Sequence, residues 1–567
     1  MSWVHQKTRF IIGLSFVLAA CGGGGGGSDG SNVVVPPPAP EPEALITFSA
    51  LSPTDSGLSH MFSIQNRDEE SMEQLFAGGH AVGDYDGDGD VDIFIAAGDS
   101  TPSQLFQNNG NNQFEDVATT AGVSIANHKG SGPMFADIDG DGDLDLLIGA
   151  IEGHSIYVFS NNGDGTFTDI TANTGLNITA LNTIGAAFGD IDNDGDLDLA
   201  LTHWGNTPDA TLSQSEHLWL NKGGFQFENI SKSAGITDTI YVWNGNGMFG
   251  DLDYTFTPNF ADINNDGFVD LLITGDFGTS MVFMNLMNGT FENVTDRDII
   301  VDANGMGAAI ADADNDGDLD WFVTAIYDKN PSTGLIRSPG NFLYTNQGEG
   351  SFSTTPHADQ LEYEVHQSGW AWGTCFADFN NDGLLDIYVT NGWEELVGIY
   401  NTDTSIDYAN DPSTLFMANA DGTYTEYAQQ AQLEETGLGR GVSCFDSDGD
   451  GDVDILTSQN SITSTNGLSL FENLGSSTLG NYLGIKLRQA NGNTEALGAR
   501  VYITTSDGVV QMREVRNENN YVSQNPAQVH FGLGEHDTVS ELKIIWPDGR
   551  EQIQSNVESN QRLVIDY

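Results

Sequence analysis

Apolar residues in this chain come in short runs of four to eight positions, set apart by turns rich in Gly, Asn and Asp. Runs of that length, rich in β-branched and aromatic residues, predict strands. The runs recur in a fixed order. A strand of small residues, as in GGHAVGD (78–84) or GMGAAIAD (305–312), enters an acidic loop, and a second strand leaves it. A third strand carries an aromatic and an Asn, as in LFQNN (105–109), LWLNK (218–222) and FLYTN (342–346). After a Gly/Asn turn comes a fourth, typically F-x-[DN]. Units of four strands, whose loops start 50 to 72 residues apart, predict propeller blades.

Counting fourth strands predicts how the ring closes. They begin near Phe114, Phe167, Phe227, Phe291, Phe352 and Tyr424, and the seventh unit has none after LFEN (470–473). An orphan fourth strand, ITFSALSPTDSGLS (46–59), precedes the first loop and is similar to QFEDVATTAGVS (113–124). The expected fold is therefore all-β: a seven-bladed β-propeller over 44–478, its last blade completed by the N-terminal strand, which removes exposed sheet edges. Over 479–567 the alternating stretches YLGIKL, ARVYITT, VVQMREV, AQVHFGL and ELKIIW predict a small C-terminal β domain.

The acidic loops share one pattern, D-x-[DN]-x-D-G-x-x-D, starting at Asp84, Asp137, Asp190, Asp262, Asp312, Asp378 and Asp446. A calcium ion takes six to eight hard oxygens. In this pattern the carboxylates at positions 1, 3 and 5 point inward, Gly at position 6 permits the sharp turn, and Asp at position 9 closes the shell. An EF-hand would need Glu at position 12 and flanking helices. Position 12 here is Ile95, Ile148, Leu201, Ile273, Val323, Val389 or Thr457, and strand-forming residues follow. Magnesium suits the loop less, because it retains several waters where this curl offers mostly protein oxygens.

Charge sharpens this picture. The chain has 82 acidic and 18 basic residues, a net charge of −64, which argues against a nucleic-acid partner. The seven loops hold 31 of those acids, and such crowding demands a neutralising cation. Eight of the basic residues lie beyond residue 480. Three cysteines make no disulfide framework; Cys375 and Cys444 either pair across neighbouring blades or stay as two buried thiols.

Residues 1–21 read as an export signal: a start made basic by Lys7 and Arg9, then an apolar run from Phe10 to Ala20 too short to span a bilayer. Leu18-Ala19-Ala20-Cys21 resembles the bacterial lipobox. The resemblance implies lipidation of Cys21 and, with Gly22 following, an outer-membrane or cell-surface lipoprotein of a Gram-negative bacterium. The Gly- and Pro-rich stretch 22–43 reads as a spacer.

The repeats resemble FG-GAP (VCBS) repeats of integrin-α-like propellers. LGAR (497–500), YVSQNPAQVHFGLG (521–534) and IIWPDG (544–549) resemble the ASPIC/UnbV domain. The combination is similar to bacterial relatives in the cartilage acidic protein family. The resemblance implies up to seven Ca²⁺ ions in the loops between first and second strands, all on one face. Position by position, the implied ligands are Asp84, Asp86, Asp88 and Asp92; Asp137, Asp139, Asp141 and Asp145; Asp190, Asp192, Asp194 and Asp198; Asp262, Asn264, Asp266 and Asp270; Asp312, Asp314, Asp316 and Asp320; Asp378, Asn380, Asp382 and Asp386; and Asp446, Asp448, Asp450 and Asp454.

No nucleophile or metalloprotease motif stands out, and no catalytic residue is assigned. Long connections between second and third strands, with an insertion at 237–260, should gather on the face opposite the loops. They carry Trp204, Trp243, Tyr327, Arg337, Trp393 and Tyr400, residues suited to a protein or glycan ligand if exposed, or to packing the loops onto the blades. The expected function is a surface-anchored binding or adhesion module that meets the membrane through its lipid alone. The alternative is a calcium-dependent polysaccharide lyase or hydrolase.

Overall fold

The computed structural model describes residues 46–65, 71–205, 216–240, 253–329, 336–354, 365–393, 408–460, 467–475 and 479–567. The expected signal, spacer and lipidated Cys21 lie outside them. So do Trp243, Tyr400 and the side chain of Arg337.

Seven four-stranded antiparallel sheets form the blades. Blade 1 runs His80–Gly83, Asp92–Ile95, Gln104–Asn108 and Phe114–Asp116. Blades 2 to 6 begin with the inner strands Gly130–Ala136, Gly185–Gly189, Thr255–Ala261, Ala308–Ala311 and Ala371–Ala377. Blade 7 holds Gly439–Phe445, Asp454–Gln459 and Leu468–Asn473, and its outer strand is Phe48–Ala50, with Phe48 opposite Asn473. The ring also closes on the inside. The buried His80 imidazole of blade 1 bonds Ser443 Oγ at 2.9 Å and Ser458 Oγ at 3.0 Å in blade 7. Burial lowers its pKa to about 3, so the link is made by the neutral ring.

Inner strands are rich in small residues because they converge on the axis. A Cβ on Gly307 would lie 2.2 Å from the Trp372 carbonyl oxygen, and one on Gly373 would lie 2.4 Å from that of Arg440. Cys375 and Cys444, on the inner strands of blades 6 and 7, form a disulfide with Cα atoms 6.3 Å apart, so the alternative of two separate thiols does not hold.

The Asn that ends the third strand is an inter-blade staple. Its side-chain amide donates to the carbonyl of loop position 2 in the preceding blade: Asn161 to Tyr85 (2.8 Å), Asn221 to Ile138 (3.1 Å), Asn285 to Ile191 (2.8 Å) and Asn346 to Ile263 (2.7 Å). Asn473 reaches Phe379 (3.0 Å) and Asn108 reaches Ser447 (3.1 Å), carrying the chain of staples across the closure. Blade 6 has Ala418 there.

The C-terminal domain pairs Asn481–Arg488 with Val529–Gly534 and Gln561–Asp566 in one sheet. A second sheet contains Val510–Glu514, Arg500–Thr505, Thr538–Ile545 and Glu551–Glu558. Its apolar core is continuous with that of blades 2 and 3: Leu497, Val501 and Trp546 belong to one cluster with Ile138 and Leu197.

The segment between Glu514 and Val529 enters the central pore as a finger. Asn519 Nδ2 donates to the Ala186 carbonyl (2.7 Å), and Asn519 N–H to Asn259 Oδ1 (3.2 Å). Gln524 accepts from Phe135 N–H and donates to its carbonyl, at 2.7 and 2.6 Å. Glu518 accepts from Ile310 N–H (2.6 Å), Ser523 from Val442 N–H (2.8 Å), and the Val522 carbonyl from His80 N–H (3.1 Å). The Tyr521 ring lies 5.2 Å from Trp372. The finger thus meets the inner strand of every blade.

The staples yield a stability prediction. Ala418→Asn should raise stability by about 1 kcal/mol, and Asn161→Ala should lower it by roughly 1–3 kcal/mol through an orphaned carbonyl, both read by denaturant melts.

Candidate metal centre

Each acidic loop is fastened at both ends by its own aspartates. The first carboxylate accepts the N–H of the Gly at position 6, as in Gly142 to Asp137 (2.8 Å), Gly195 to Asp190 (2.9 Å) and Gly383 to Asp378 (2.7 Å). The ninth accepts two N–H groups, one per oxygen. Asp92 takes those of Tyr85 (3.2 Å) and Asn108 (2.8 Å); Asp145 takes those of Ile138 (2.9 Å) and Asn161 (2.8 Å). The pattern holds in blade 6, where Phe379 and Ala418 donate to Asp386. The ninth aspartate therefore ties the start of the loop to the end of the third strand.

This wiring brings carboxylates together. Ligand atoms of Asp84, Asp86 and Asp92 lie within 4.8 Å of one another, as do those of Asp137, Asp139 and Asp145, of Asp190, Asp192 and Asp194, of Asp312, Asp314 and Asp316, and of Asp446, Asp448 and Asp454. Loops 4 and 6 have fewer acids. Asn264 Nδ2 donates to Asp266 at 2.9 Å, and Asn380 Nδ2 to Asp382 at 3.0 Å. The fifth-position carboxylates Asp88, Asp141, Asp194, Asp266, Asp316, Asp382 and Asp450 each accept the N–H at position 7.

Electrostatics point to a cation. Burial pushes the carboxyls of Asp92 and Asp145 up to about 9 and those of Asp270 and Asp320 up to about 8; Asp198, Asp386 and Asp454 are raised well above the usual range. Asp139 Oδ1 is buried without a hydrogen-bond partner. Hard oxygens at close range, one of them orphaned, fit a hard divalent cation.

The loops face the C-terminal domain, which rests on them. Lys486 Nζ lies 3.0 Å from Asp84 Oδ2, Arg562 Nη2 lies 2.9 Å from Asp446 Oδ2, and Arg500 Nη2 lies 3.5 Å from Asp262 Oδ2. Thr494 Oγ1 donates to Asp137 Oδ2. A cavity of about 360 Å³ remains between domain and ring, bordered by Lys486, Arg513, Glu514, Glu518, His530 and Arg562. The cluster of basic residues beyond 480 is visible in the sequence, but its place on the loops is not.

The aromatic residues expected on the opposite face need correction. Trp204 and Trp393 are only 8% and 5% exposed, so neither presents a ligand surface. They surround Phe76, whose ring lies 4.7 Å from Trp204, 5.2 Å from Phe256, 5.6 Å from Trp372 and 6.2 Å from Trp393. Packing won because Phe76, on the short helix Glu73–Phe76, fills this end of the pore, and Tyr521 of the finger reaches its carbonyl from the other end (3.4 Å). Tyr327 is partly exposed and lies edge-on to His366 at 5.6 Å.

The repeats and the C-terminal domain are each matched by a known family. A family profile described as FG-GAP-like repeat matches residues 84–148, 147–201, 262–323 and 334–389, and one described as ASPIC and UnbV matches 489–567. Cartilage acidic protein 1 of Mus musculus is 24% identical over 517 residues, covering 86% of this chain and 73% of its own length. The Homo sapiens protein is 25% identical over 520 residues, with 85% and 70% covered. Among solved structures, an Agrocybe aegerita lectin aligns with TM-score 0.32 and 16% identity over 71% of this chain and 81% of its own.

A carboxyl whose pKa is higher folded than unfolded stabilises the fold when protonated, and that contribution falls as pH rises from about 4 toward 8–9. Chelator-treated protein should therefore melt at lower temperature at pH 8 than at pH 5, and the rise in melting temperature on adding calcium should be larger at pH 8. Trp393→Ala should cost about 3–5 kcal/mol in denaturant melts, as a core truncation does.

Proposed function

The chain belongs to the FG-GAP-like repeat proteins that end in an ASPIC and UnbV domain and is homologous to cartilage acidic protein 1; on that premise we propose that it is a calcium-stiffened binding or adhesion module displayed outside the cell. The observation that carries this reading is the filled pore. The axis of a propeller is a natural place for a small substrate, and here Tyr521 from one end and Phe76 from the other occupy it. Recognition then falls to the rim and the long connections, where broad protein or glycan surfaces bind. Calcium holds the acidic loops in shape, and the C-terminal domain covers the face that carries them.

Export and lipidation at Cys21 complete the proposal. Among the described residues no helix is long and apolar enough to cross a membrane. A lipid on Cys21 followed by the 22–43 spacer would tether the folded body at a distance. The long second-to-third-strand connections and the 237–260 insertion, including Tyr327 and Trp243, are the proposed contact region for a protein or glycan ligand.

The test begins with residues 22–567 carrying Cys21→Ser. Elemental analysis should find up to seven calcium ions per chain, and chelation should lower the melting temperature, because a ligand bound only to the native state stabilises it by mass action. Absence of calcium together with an unchanged melt would end this reading. Incubation with acidic polysaccharides should leave their chain length unchanged; shortened products would favour a lyase or hydrolase.

A further inference from the structure

The basic residues of the C-terminal domain are distributed unevenly over the seven loops. In loop 1, Lys486 Nζ donates to Asp84 Oδ2 at 3.0 Å. In loop 7, Arg562 holds Asp446 twice: Nε to Oδ2 at 3.1 Å and Nη2 to the backbone carbonyl at 2.7 Å. In loop 4, Arg500 donates to the Asp262 carbonyl and lies 3.5 Å from its carboxylate. The buried Arg513 sits where its charge acts on Asp312 of loop 5 and Asp378 of loop 6. Loops 2 and 3 differ. Asp137 meets the neutral hydroxyl of Thr494, and Asp190 accepts the N–H groups of Asp194 and Gly195 in its own loop.

A fixed cation on the first carboxylate of a loop opposes a second cation there in two ways. It occupies a lone pair on a ligand oxygen, and it repels a divalent ion a few ångströms away. The placement is rigid, because the finger is bonded to inner strands around the pore and its domain shares a core with blades 2 and 3. The loops also differ in charge: loops 1, 2, 3, 5 and 7 hold five carboxylates each, whereas Asn264 with Phe268 leaves loop 4, and Asn380 with Leu384 leaves loop 6, with three.

We propose that the C-terminal domain grades the seven loops, making loops 1, 4 and 7 weaker calcium sites than loops 2 and 3, so that the ring fills in order. This rests on calcium being the ion of the loops, as proposed above. Linkage makes the effect reciprocal: each ion entering loop 1 or loop 7 loosens the contact with Lys486 or Arg562 by the same factor. The domain then acts as a built-in regulator of how much of the ring is stiff at a given calcium level.

The experiment titrates the full mature chain, with Cys21→Ser, using calcium chloride against a chromophoric chelator at low ionic strength. The wild type should show affinity classes separated by about tenfold or more. Lys486→Gln should move one equivalent from the weak class to the tight one, and Arg562→Gln should do the same independently. Both side chains are more than a third exposed, at 39% and 37%, so these variants keep the core intact. Asp190→Asn should remove one equivalent from the tight class. The Lys486→Gln protein should also reach its calcium-saturated melting temperature at lower calcium than wild type. A single affinity class that neither basic-residue variant moves would overturn the grading while leaving the calcium reading intact. Weaker calcium binding in Lys486→Gln would overturn it as well, by making Lys486 a support of the site. A wild type that binds no calcium would remove both.

Discussion

The ninth aspartate of each acidic loop is the joint on which this structure turns. Its two oxygens accept N–H groups from the start of the loop and from the third strand, so a single side chain sets the curl of the loop and the register of the strand beside it. In six blades the residue held in this way is the Asn that staples the preceding blade. Loop shape, blade shape and blade spacing are therefore one hydrogen-bonded system. The cost is a buried carboxylate in every blade, close to others of the same charge. A divalent cation would offset that cost most directly, and in loops 1, 2 and 7 the ninth aspartate is itself one of the groups that could hold one.

The second organising constraint is the pore. Seven inner strands converging on an axis leave a channel lined by backbone, and its polar groups need partners. Part of this lining is paired with one finger of the C-terminal domain, which presents Asn519, Gln524, Ser523 and Glu518 as surrogate backbone. From the other end Phe76 packs among Trp204, Phe256, Trp372 and Trp393. Two remote segments of the chain thus meet inside the ring, and the propeller and its C-terminal domain form one folded body.

Charge is allocated with the same economy. The molecule is strongly acidic, yet Lys486, Arg500 and Arg562 stand against acidic loops and Arg513 between two of them. A neutral cap over that face would bury carboxylates without compensation. A cap with a cation at every loop would leave little for a metal to neutralise. The observed distribution lies between these limits and gives the loops unequal surroundings.

Periodicity alone determined the blade count, the closing role of Phe48–Ala50 and the loop residues, because each depends on contacts between neighbours in sequence or on a pattern repeated seven times. The Asn of the third strand was visible as a motif, but its role was not, since its partner lies in another blade. Trp204 and Trp393 could not be assigned from their neighbours: a Trp on a long loop looks alike whether it faces solvent or Phe76, and only the convergence of blades on one axis decided for burial. Residues 521–528 of the finger were legible as part of a family motif and not as a plug. The basic residues beyond 480 were countable, but their positions on individual aspartates depend on how two domains dock. Local pattern records what a residue does to its own strand and loop; contacts between residues hundreds of positions apart exist only once the ring has closed.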